Sequence, residues 1–347
     1  MIKTTLLAAG LLAALAAPAG AETVTRQHVG GGFVAVDDVN TRNGNFSLTY
    51  AAFDQGKGVP FRRTYNSLAT NQGVFGKGWG SSFDTKLVPL AADRVVVVEN
   101  GNGALTAYGA PAAQSPAELE KAVIAARKSG PPPAPNLFQR AWIRVSRWAG
   151  GKPAGTRLAI DRRTAFVGHG CNEAAVMREP AAYHRVTCDA TVHDFDARGD
   201  LKGFSQAGVG KADLTWTGSA LTRVATDRGR ALAFEHGKSQ LKVVDETGGW
   251  TAYAFDDRGR NVRMTNAAGV DYAYAYDDRG NLTDIAFVDT THRRMTYDAQ
   301  DRVTRILGRN GEVTTFAYRA SASGGAETEV TRVSSQGQSA TTIYTFD

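Results

Sequence analysis

The chain has 347 residues, with 40 Lys and Arg against 34 Asp and Glu, so its net charge is +6 at pH 7. A hydrophobic content of 42% can fill the core of one large domain or of roughly two or three ordinary ones. A charged content of 21%, with 38 glycines but only 11 prolines, indicates many tight turns and excludes an intrinsically disordered chain.

Residues 1–21 have the pattern of a secretory signal peptide. Met1-Ile2-Lys3 is a short positive segment, an apolar run continues to Ala17, and Ala19-Gly20-Ala21 has the small-residue form of a cleavage site. The apolar run is shorter than the roughly 20 residues of a spanning helix, and the alternative is a buried N-terminal helix. The sequence therefore predicts an exported protein of the periplasm or cell surface, without a membrane span after cleavage.

The mature chain is predicted to begin with a β module at 22–110 and an insertion at 111–136. In the insertion, Ser115-Pro116-Ala117-Glu118 has the form of a helix-capping box, and Gly130-Pro131-Pro132-Pro133 ends the apolar run that follows it. We expect one short helix there, followed by a stiff, proline-rich linker.

Residues 137–194 are predicted as a β region that contains a disulfide. Within it, a basic stretch is interleaved with aromatic residues, and the candidate ligand-binding residues are Trp142, Arg144, Arg147 and Trp148. Such a stretch can bind an acidic envelope glycan through charge and stacking, and nucleic acid is not an expected partner of an exported protein. The alternative is an amphipathic strand pair with a solvated basic face.

The two cysteines of the chain are Cys171 and Cys188. An even number of cysteines in an oxidising compartment favours a disulfide between them. The alternative is a metal site that includes His169, His184 and His193. Their spacings match no standard zinc pattern, so we expect a disulfide and no metal.

An acid–base site is the enzymatic alternative for the same segment. His169, His184, His193, Asp194 and Asp196 are close in sequence, and a His–Asp pair is suited to proton transfer. The sequence has no G-x-S-x-G motif, no H-E-x-x-H motif and no P-loop. We therefore expect no catalytic residue and no cofactor, with a hydrolase built on residues 169–196 as the less favoured alternative.

Residues 195–347 repeat one pattern, in which an aromatic anchor precedes a turn and then an apolar residue. The anchors are Phe195, Trp216, Phe234, Phe255, Tyr276, Tyr297 and Tyr318, with successive spacings of 21, 18, 21, 21, 21 and 21 residues. A fixed period of this length indicates a repeat architecture in which one unit cannot bury its apolar face alone.

Each unit reads as one β-hairpin. Aromatic and small residues alternate in Asp271-Tyr272-Ala273-Tyr274-Ala275-Tyr276, which is typical of a half-buried strand. In Asp277-Asp278-Arg279-Gly280 the first Asp and the Gly suit a tight turn, in which the Asp binds nearby backbone amides. Calcium binding by the Asp-Asp pairs is the alternative.

These motifs resemble the YD-repeat (RHS-repeat) family, which includes bacterial polymorphic-toxin shells and the teneurin ectodomains. The likeness is carried by Tyr276–Leu282 and, near the N-terminus, by Arg42–Phe46, Phe61–Ser67 and Gly76–Phe83. It covers about 30–110 and 195–347, although Asn43 stands where the family pattern has Thr. The core-closing motif of toxin members is absent from the sequence, so self-cleavage and a toxin cargo are not implied.

The sequence thus predicts a mainly β protein, with antiparallel hairpin repeats in a curled or partly closed sheet, an N-terminal β module and one short inserted helix. The expected function is a non-enzymatic scaffold or binding protein of the cell envelope, whose partner is another protein or a longer YD-repeat protein. The last repeat strand is expected to leave an open edge for strand addition by that partner. The alternative is a carbohydrate-binding surface protein.

Overall fold

The structure is a computed structural model. It describes residues 23–30, 33–52, 59–69, 72–91, 94–99, 104–109, 164–167, 175–179, 182–187, 190–321 and 324–347. These residues form 29 strands and one short 3₁₀ helix, Ser82–Asp84. The prediction of a mainly β fold with antiparallel hairpin repeats and an N-terminal β module is confirmed. The signal peptide and the predicted helix of the insertion lie outside the described residues.

The N-terminal module contains eleven strands, most of them short. They are β1 (Thr23–Gly30), β2 (Ala35–Val36), β3 (Val39–Asn40), β4 (Ser47–Ala52), β5 (Phe61–Asn66), β6 (Gln72–Gly73), β7 (Gly76–Lys77), β8 (Trp79–Ser81), β9 (Lys86–Ala91), β10 (Arg94–Glu99) and β11 (Ala104–Gly109).

The later strands follow one another as hairpins. They are β12 (Thr164–Val167), β13 (Ala175–Glu179), β14 (Ala182–Val186), β15 (Val192–Asp196), β16 (Leu201–Gln206), β17 (Gly210–Thr217), β18 (Ala220–Thr226), β19 (Ala231–His236), β20 (Gln240–Asp245), β21 (Trp250–Phe255), β22 (Asn261–Asn266), β23 (Asp271–Tyr276), β24 (Leu282–Ala286), β25 (His292–Tyr297), β26 (Val303–Leu307), β27 (Val313–Ala320), β28 (Ala326–Val333) and β29 (Ser339–Phe346).

The chain divides into two compact units, and the larger one contains Asn45–His292 and Ala299–Asp301. In it, β12 to β24 pair antiparallel, each with the next. The small sheets of this unit are β4–β5–β8, β9–β10–β11 and β6–β7. Buried side chains alternate with exposed ones along the strands, as the period-2 pattern predicts.

The smaller unit contains the described residues up to Gly44, together with Arg293–Asp298 and Arg302–Asp347. In it, β25 to β29 pair antiparallel in sequence, and β2 and β3 form a separate two-stranded hairpin. Strand β1 pairs in parallel with β29, from Thr23 opposite Ala340 to Gly30 opposite Phe346. The expectation of an open edge on the last repeat strand is therefore wrong, because the first strand after the predicted signal peptide covers it.

Local chemistry explains the repeat hairpins. The pairing register shifts by one residue just before the anchor, as between Ala275 and Tyr276, which is a β-bulge next to the turn. The residue two positions before the return strand then has positive φ, which is +73° at Gly259 and +98° at Gly280. The same place in the next repeat is taken by Asp301 with φ +60°, since Asp tolerates this region better than most residues.

Candidate functional site

The Asp side chain of each D-x-x-G turn is used within its own turn. Asp256 Oδ1 accepts hydrogen bonds from the amides of Arg258 (3.0 Å) and Arg260 (2.9 Å), and Gly259 N donates to Asp256 O (2.9 Å). Asp277 Oδ1 makes the corresponding pair of contacts. Burial alone would raise the pKa of the Asp256 carboxyl, but the donors of Arg260 lower it below its ordinary value. The turns thus occupy these carboxylates locally.

The N-terminal module binds the same turns from outside. Leu87 N donates to Gly199 O (2.9 Å), and Lys77 N donates to Gly259 O (2.9 Å). Tyr65 Oη is 3.4 Å from Gly280 O. The module therefore meets three D-x-x-G turns, with one contact to the glycine of each turn.

Three of the predicted anchors tie their hairpin to the one before it through a side-chain hydrogen bond. Tyr276 Oη donates to Asn261 O (2.7 Å), and Trp216 Nε1 donates to Leu201 O (3.0 Å). In the smaller unit, Tyr318 Oη donates to Val303 O (2.6 Å). In each case the acceptor is the carbonyl 15 residues earlier. The ring at the anchor therefore also supplies a polar link between neighbouring repeats.

In the third repeat the structure places the anchor at His236, not at Phe234. His236 Nε2 is 2.7 Å from Leu221 O, the same 15-residue link, and His236 pairs with Leu241 at the start of the return strand. Phe234 is instead a core residue, 4% exposed, whose ring is 5.9 Å from that of Phe83. The search for aromatic anchors selected Phe234, but the pairing of β19 with β20 places His236 at the anchor position.

Arg63 lies in a box of aromatic side chains, and the sequence analysis did not single it out as a site. Its guanidinium carbon is 4.8 Å from the ring centroid of Tyr50, 4.6 Å from that of Trp79 and 5.0 Å from that of Tyr253. Nη2 is 3.2 Å from Tyr274 Oη. Arg63 is 1% exposed and Trp79 is fully buried. The motif segments Phe61–Ser67 and Gly76–Phe83 therefore meet hairpin strands at a buried cation.

Asp84 closes the turn that follows Trp79. Its carboxylate accepts hydrogen bonds from Val74 N (2.8 Å), Ser81 N (2.9 Å) and Ser81 Oγ (2.6 Å). Burial raises the pKa of Asp84 to about 6, although these donors act in the opposite direction.

A second buried arginine joins the β9–β10–β11 sheet to β14. Arg185 binds Glu99 through both terminal nitrogens and donates from Nε to Tyr108 Oη (2.7 Å). Thr106 Oγ1 donates to Glu99 (2.6 Å). This two-point arginine–carboxylate pair is a strong polar link and needs no further ligand.

In the smaller unit, the β2–β3 turn carries two aspartates with positive φ, +49° at Asp37 and +63° at Asp38. Arg293 binds Asp38 Oδ2 (2.6 Å) and the Asp37 carbonyl (2.7 Å). Thr314 Oγ1 donates to Asp37 Oδ2 (2.5 Å). This two-residue turn docks the hairpin on β25 and β27.

A groove of about 1580 Å³ opens in the larger unit between the module and two repeat turns. These turns are shorter than the D-x-x-G turns: Trp216 pairs with Leu221, five residues later, whereas Phe195 pairs with Leu201, six residues later. His236 pairs with Leu241, also after five residues. No backbone–backbone hydrogen bond from the described part of the module reaches residues 217–220 or 237–240. The groove thus lies where the turns shorten and the module no longer binds them.

The groove has a mixed polar lining with spare positive charge. Lys86 pairs with Asp200 (2.8 Å), and Asp256 is held by Arg260 (2.7 Å). Arg198, Lys238 and Arg258 also line the groove and have no ion-pair partner among the described residues, and the same holds for one carboxylate, that of Asp257. The partly exposed Trp216 and the exposed His236 complete the wall.

The residues of the proposed acid–base cluster are only partly placed. His184 Nδ1 is 2.6 Å from Asp194 Oδ1 across neighbouring strands, and Asp196 Oδ1 accepts the amides of its own turn. A like pair recurs at His292 and Asp284 (2.8 Å), which is typical of cross-strand pairing. Within the described residues, no three His, Cys, Asp or Glu side chains form a cluster that could hold a metal ion.

The remaining predicted site residues lie outside the described residues. They are Trp142, Arg144, Arg147, Trp148, His169, Cys171 and Cys188. The disulfide and the basic aromatic surface therefore stay predictions. In the part of the chain that the structure describes, no helix has the length and apolarity to cross a membrane.

Comparison with known proteins supplies one family match. A family model described as a domain of unknown function, DUF6531, matches residues 36–108, which is most of the N-terminal module. A search of curated proteins finds no match.

Solved structures show low similarity. The crystal structure of TcdB2-TccC3-TEV is 11% identical with a TM-score of 0.27, and the match covers 72% of this chain and 20% of that one. A porin-like protein from Bacteroides uniformis ATCC 8492 is 14% identical with a TM-score of 0.19, and the match covers 48% of this chain and 89% of that one. The chain thus corresponds to about a fifth of the length of the first structure.

Proposed function

We propose that this chain is an exported, non-enzymatic YD-repeat scaffold protein of the cell envelope. It docks a protein partner or contributes a wall to the β shell of a longer repeat protein, in a sheet that is curled or partly closed. The observation that carries this proposal is the docking of the module on the turn glycines Gly199, Gly259 and Gly280. The most distinctive sequence motifs of the chain are used to hold the sheet together, which is what a scaffold requires.

The groove is the surface that we assign to the partner. The edge of β29 is occupied by β1, so strand addition at that edge is not available to a partner. The groove instead offers Arg198, Lys238 and the Trp216 side chain at one place. An acidic surface of a partner protein would complement Arg198 and Lys238.

The test is recovery of the tagged mature protein from its native envelope after mild cross-linking, with mass spectrometry of what accompanies it. A stoichiometric protein partner is expected, and Lys238→Glu combined with Arg198→Glu should reduce its recovery. Lys211→Glu is the matched control, because Lys211 is exposed and lies outside the groove lining. Recovery of the wild-type protein alone at every cross-linker concentration would contradict the proposal.

The groove also favours a second candidate function, carbohydrate binding. The partly exposed Trp216 supplies an aromatic ring to the groove lining, and the exposed Ser239 and Gln240 supply hydrogen-bonding groups to the same lining. Binding to acidic glycans on an array should weaken in Lys238→Glu and persist in Lys211→Glu. Loss of binding in Trp142→Ala or Trp148→Ala, with Lys238→Glu unchanged, would move the glycan site to the basic aromatic stretch.

A further inference from the structure

Arg63 is a buried charge without an acidic partner. Its side chain is 1% exposed, and no carboxylate of the described residues forms an ion pair with it. Burial of an ion is costly unless other groups compensate for the lost water. Attraction to the faces of the surrounding rings offsets part of that cost but supplies no opposite charge.

Two polar groups of this box have no hydrogen-bond partner. They are Arg63 Nη1 and the hydroxyl of Tyr253, which is also 1% exposed. The Arg63 guanidinium carbon is 5.0 Å from the Tyr253 ring centroid, so the two side chains that carry these unpaired groups are in contact in the buried interior. Buried polar groups in folded proteins are nearly always satisfied by protein, water or an ion.

Both groups are hydrogen-bond donors under neutral conditions. A guanidinium has donors only, and it stays protonated in proteins. Burial raises the pKa of Tyr253 to about 12, so its hydroxyl keeps its proton. A water molecule would accept from these donors but would leave the charge uncompensated, whereas a small anion satisfies both needs.

We propose that Arg63 and Tyr253 hold a buried monovalent anion of the halide type between β5 and the β21–β22 hairpin. Its role is structural: it neutralises the cation at which the N-terminal module meets the repeat sheet. The anion therefore adds to the stability of the folded chain and exchanges only when that contact opens.

The experiment is denaturant unfolding of the mature full-length chain in sodium chloride and in sodium gluconate at equal ionic strength. Chloride should stabilise the fold specifically, with the unfolding equilibrium constant falling about tenfold for each tenfold rise in chloride above its dissociation constant. Bromide should replace chloride, and a bromide-soaked crystal should show an anomalous peak beside Arg63.

Two variants test whether the chloride dependence of stability arises at Arg63 and Tyr253. Tyr253→Phe keeps the ring and removes one donor, so the chloride dependence should weaken several-fold, and Arg63→Gln should abolish it if that variant folds. Tyr344→Phe is the control, because Tyr344 is a buried tyrosine of the smaller unit, whereas Arg63 and Tyr253 belong to the larger one. Equal stability in chloride and gluconate, or a chloride effect undiminished in Tyr253→Phe, would overturn the proposal.

Discussion

At the scale of single residues, Asn261 breaks the repeat pattern. The residue that pairs with the anchor is apolar in five other repeats, namely Leu201, Leu221, Leu241, Leu282 and Val303, and is Thr328 opposite Tyr318. Asn261 is fully buried at this position, and neither Nδ2 nor Oδ1 of its amide has a partner. An unsatisfied buried amide opposes folding by about 1–3 kcal/mol.

Replacing this amide should therefore stabilise the chain. We expect Asn261→Leu to raise the free energy of unfolding by about 1–3 kcal/mol, because it removes unsatisfied polar atoms and places an apolar residue where most other repeats have one. Denaturant titration measures the change. The reverse substitution, Leu282→Asn, should lower the same quantity, and an Asn261→Leu variant less stable than wild type would show that the amide has a partner.

Asp84 predicts an unusual pH dependence of stability. Its pKa is about 6 in the folded chain and near its ordinary value of 3.8 when unfolded, so the folded state binds the proton more tightly between these values. Stability should rise as the pH falls from 7 towards 5. Asp256 and Asp277 have lowered pKa values, so their stabilisation is lost as the pH falls below about 4.

Denaturant unfolding measured from pH 3 to pH 8 tests the direction in which stability changes with pH. The Asp84→Asn variant should be less stable at neutral pH, because an amide group then faces backbone donors, and its stability should no longer rise between pH 7 and pH 5. The variant should still lose stability below pH 4, because that loss comes from Asp256 and Asp277 in the turns. A wild-type profile that falls steadily from pH 7 to pH 5 would contradict the assignment.

At the scale of elements, the turn glycines differ in what surrounds them. A Cβ at Gly199 would stand 1.8 Å from Leu87 O, because the module approaches the turn there. Gly248 has a similar φ, +87° against +81°, but nothing lies within 4 Å of its Cβ position. Alanine substitutions at these two glycines therefore separate the energetic cost of backbone strain from the cost of losing the contact with the module.

We expect Gly199→Ala to lower the free energy of unfolding by about 2–4 kcal/mol, through left-handed strain plus loss of the Leu87 contact. Gly248→Ala should cost about 1–2 kcal/mol, from strain alone. Denaturant titration of both variants gives the comparison. Equal losses would mean that the Leu87 contact contributes nothing to stability.

At the scale of the whole chain, β1 protects the edge of the last repeat strand. Its register with β29 runs along nearly the full strand, and its own side chains are mostly exposed, with Val24 at 56%. Its contribution is therefore mainly backbone hydrogen bonding along an edge that would otherwise pair with another chain.

Deletion of residues 22–30 from the mature chain should cause concentration-dependent self-association, because it frees the backbone groups of β29. Sedimentation velocity over a range of concentrations measures it. Val24→Thr is the control, since it changes an exposed side chain and keeps the strand, and it should sediment as the wild type does. Unchanged sedimentation of the deletion variant would show that β29 does not need this cover.

The sequence by itself determined the hairpin repeats, the turn chemistry of Asp277 and Gly280, and the β character of the N-terminal module. These features are local: alternation, a turn residue with positive φ and an anchor spacing are visible within about 21 residues. Only the tertiary structure decided that His236 replaces Phe234 as an anchor, that β1 covers β29, and that Arg63 meets Tyr253 in one box. Each of these depends on strand register or on contacts between distant segments, and neither leaves a periodic signal in the sequence.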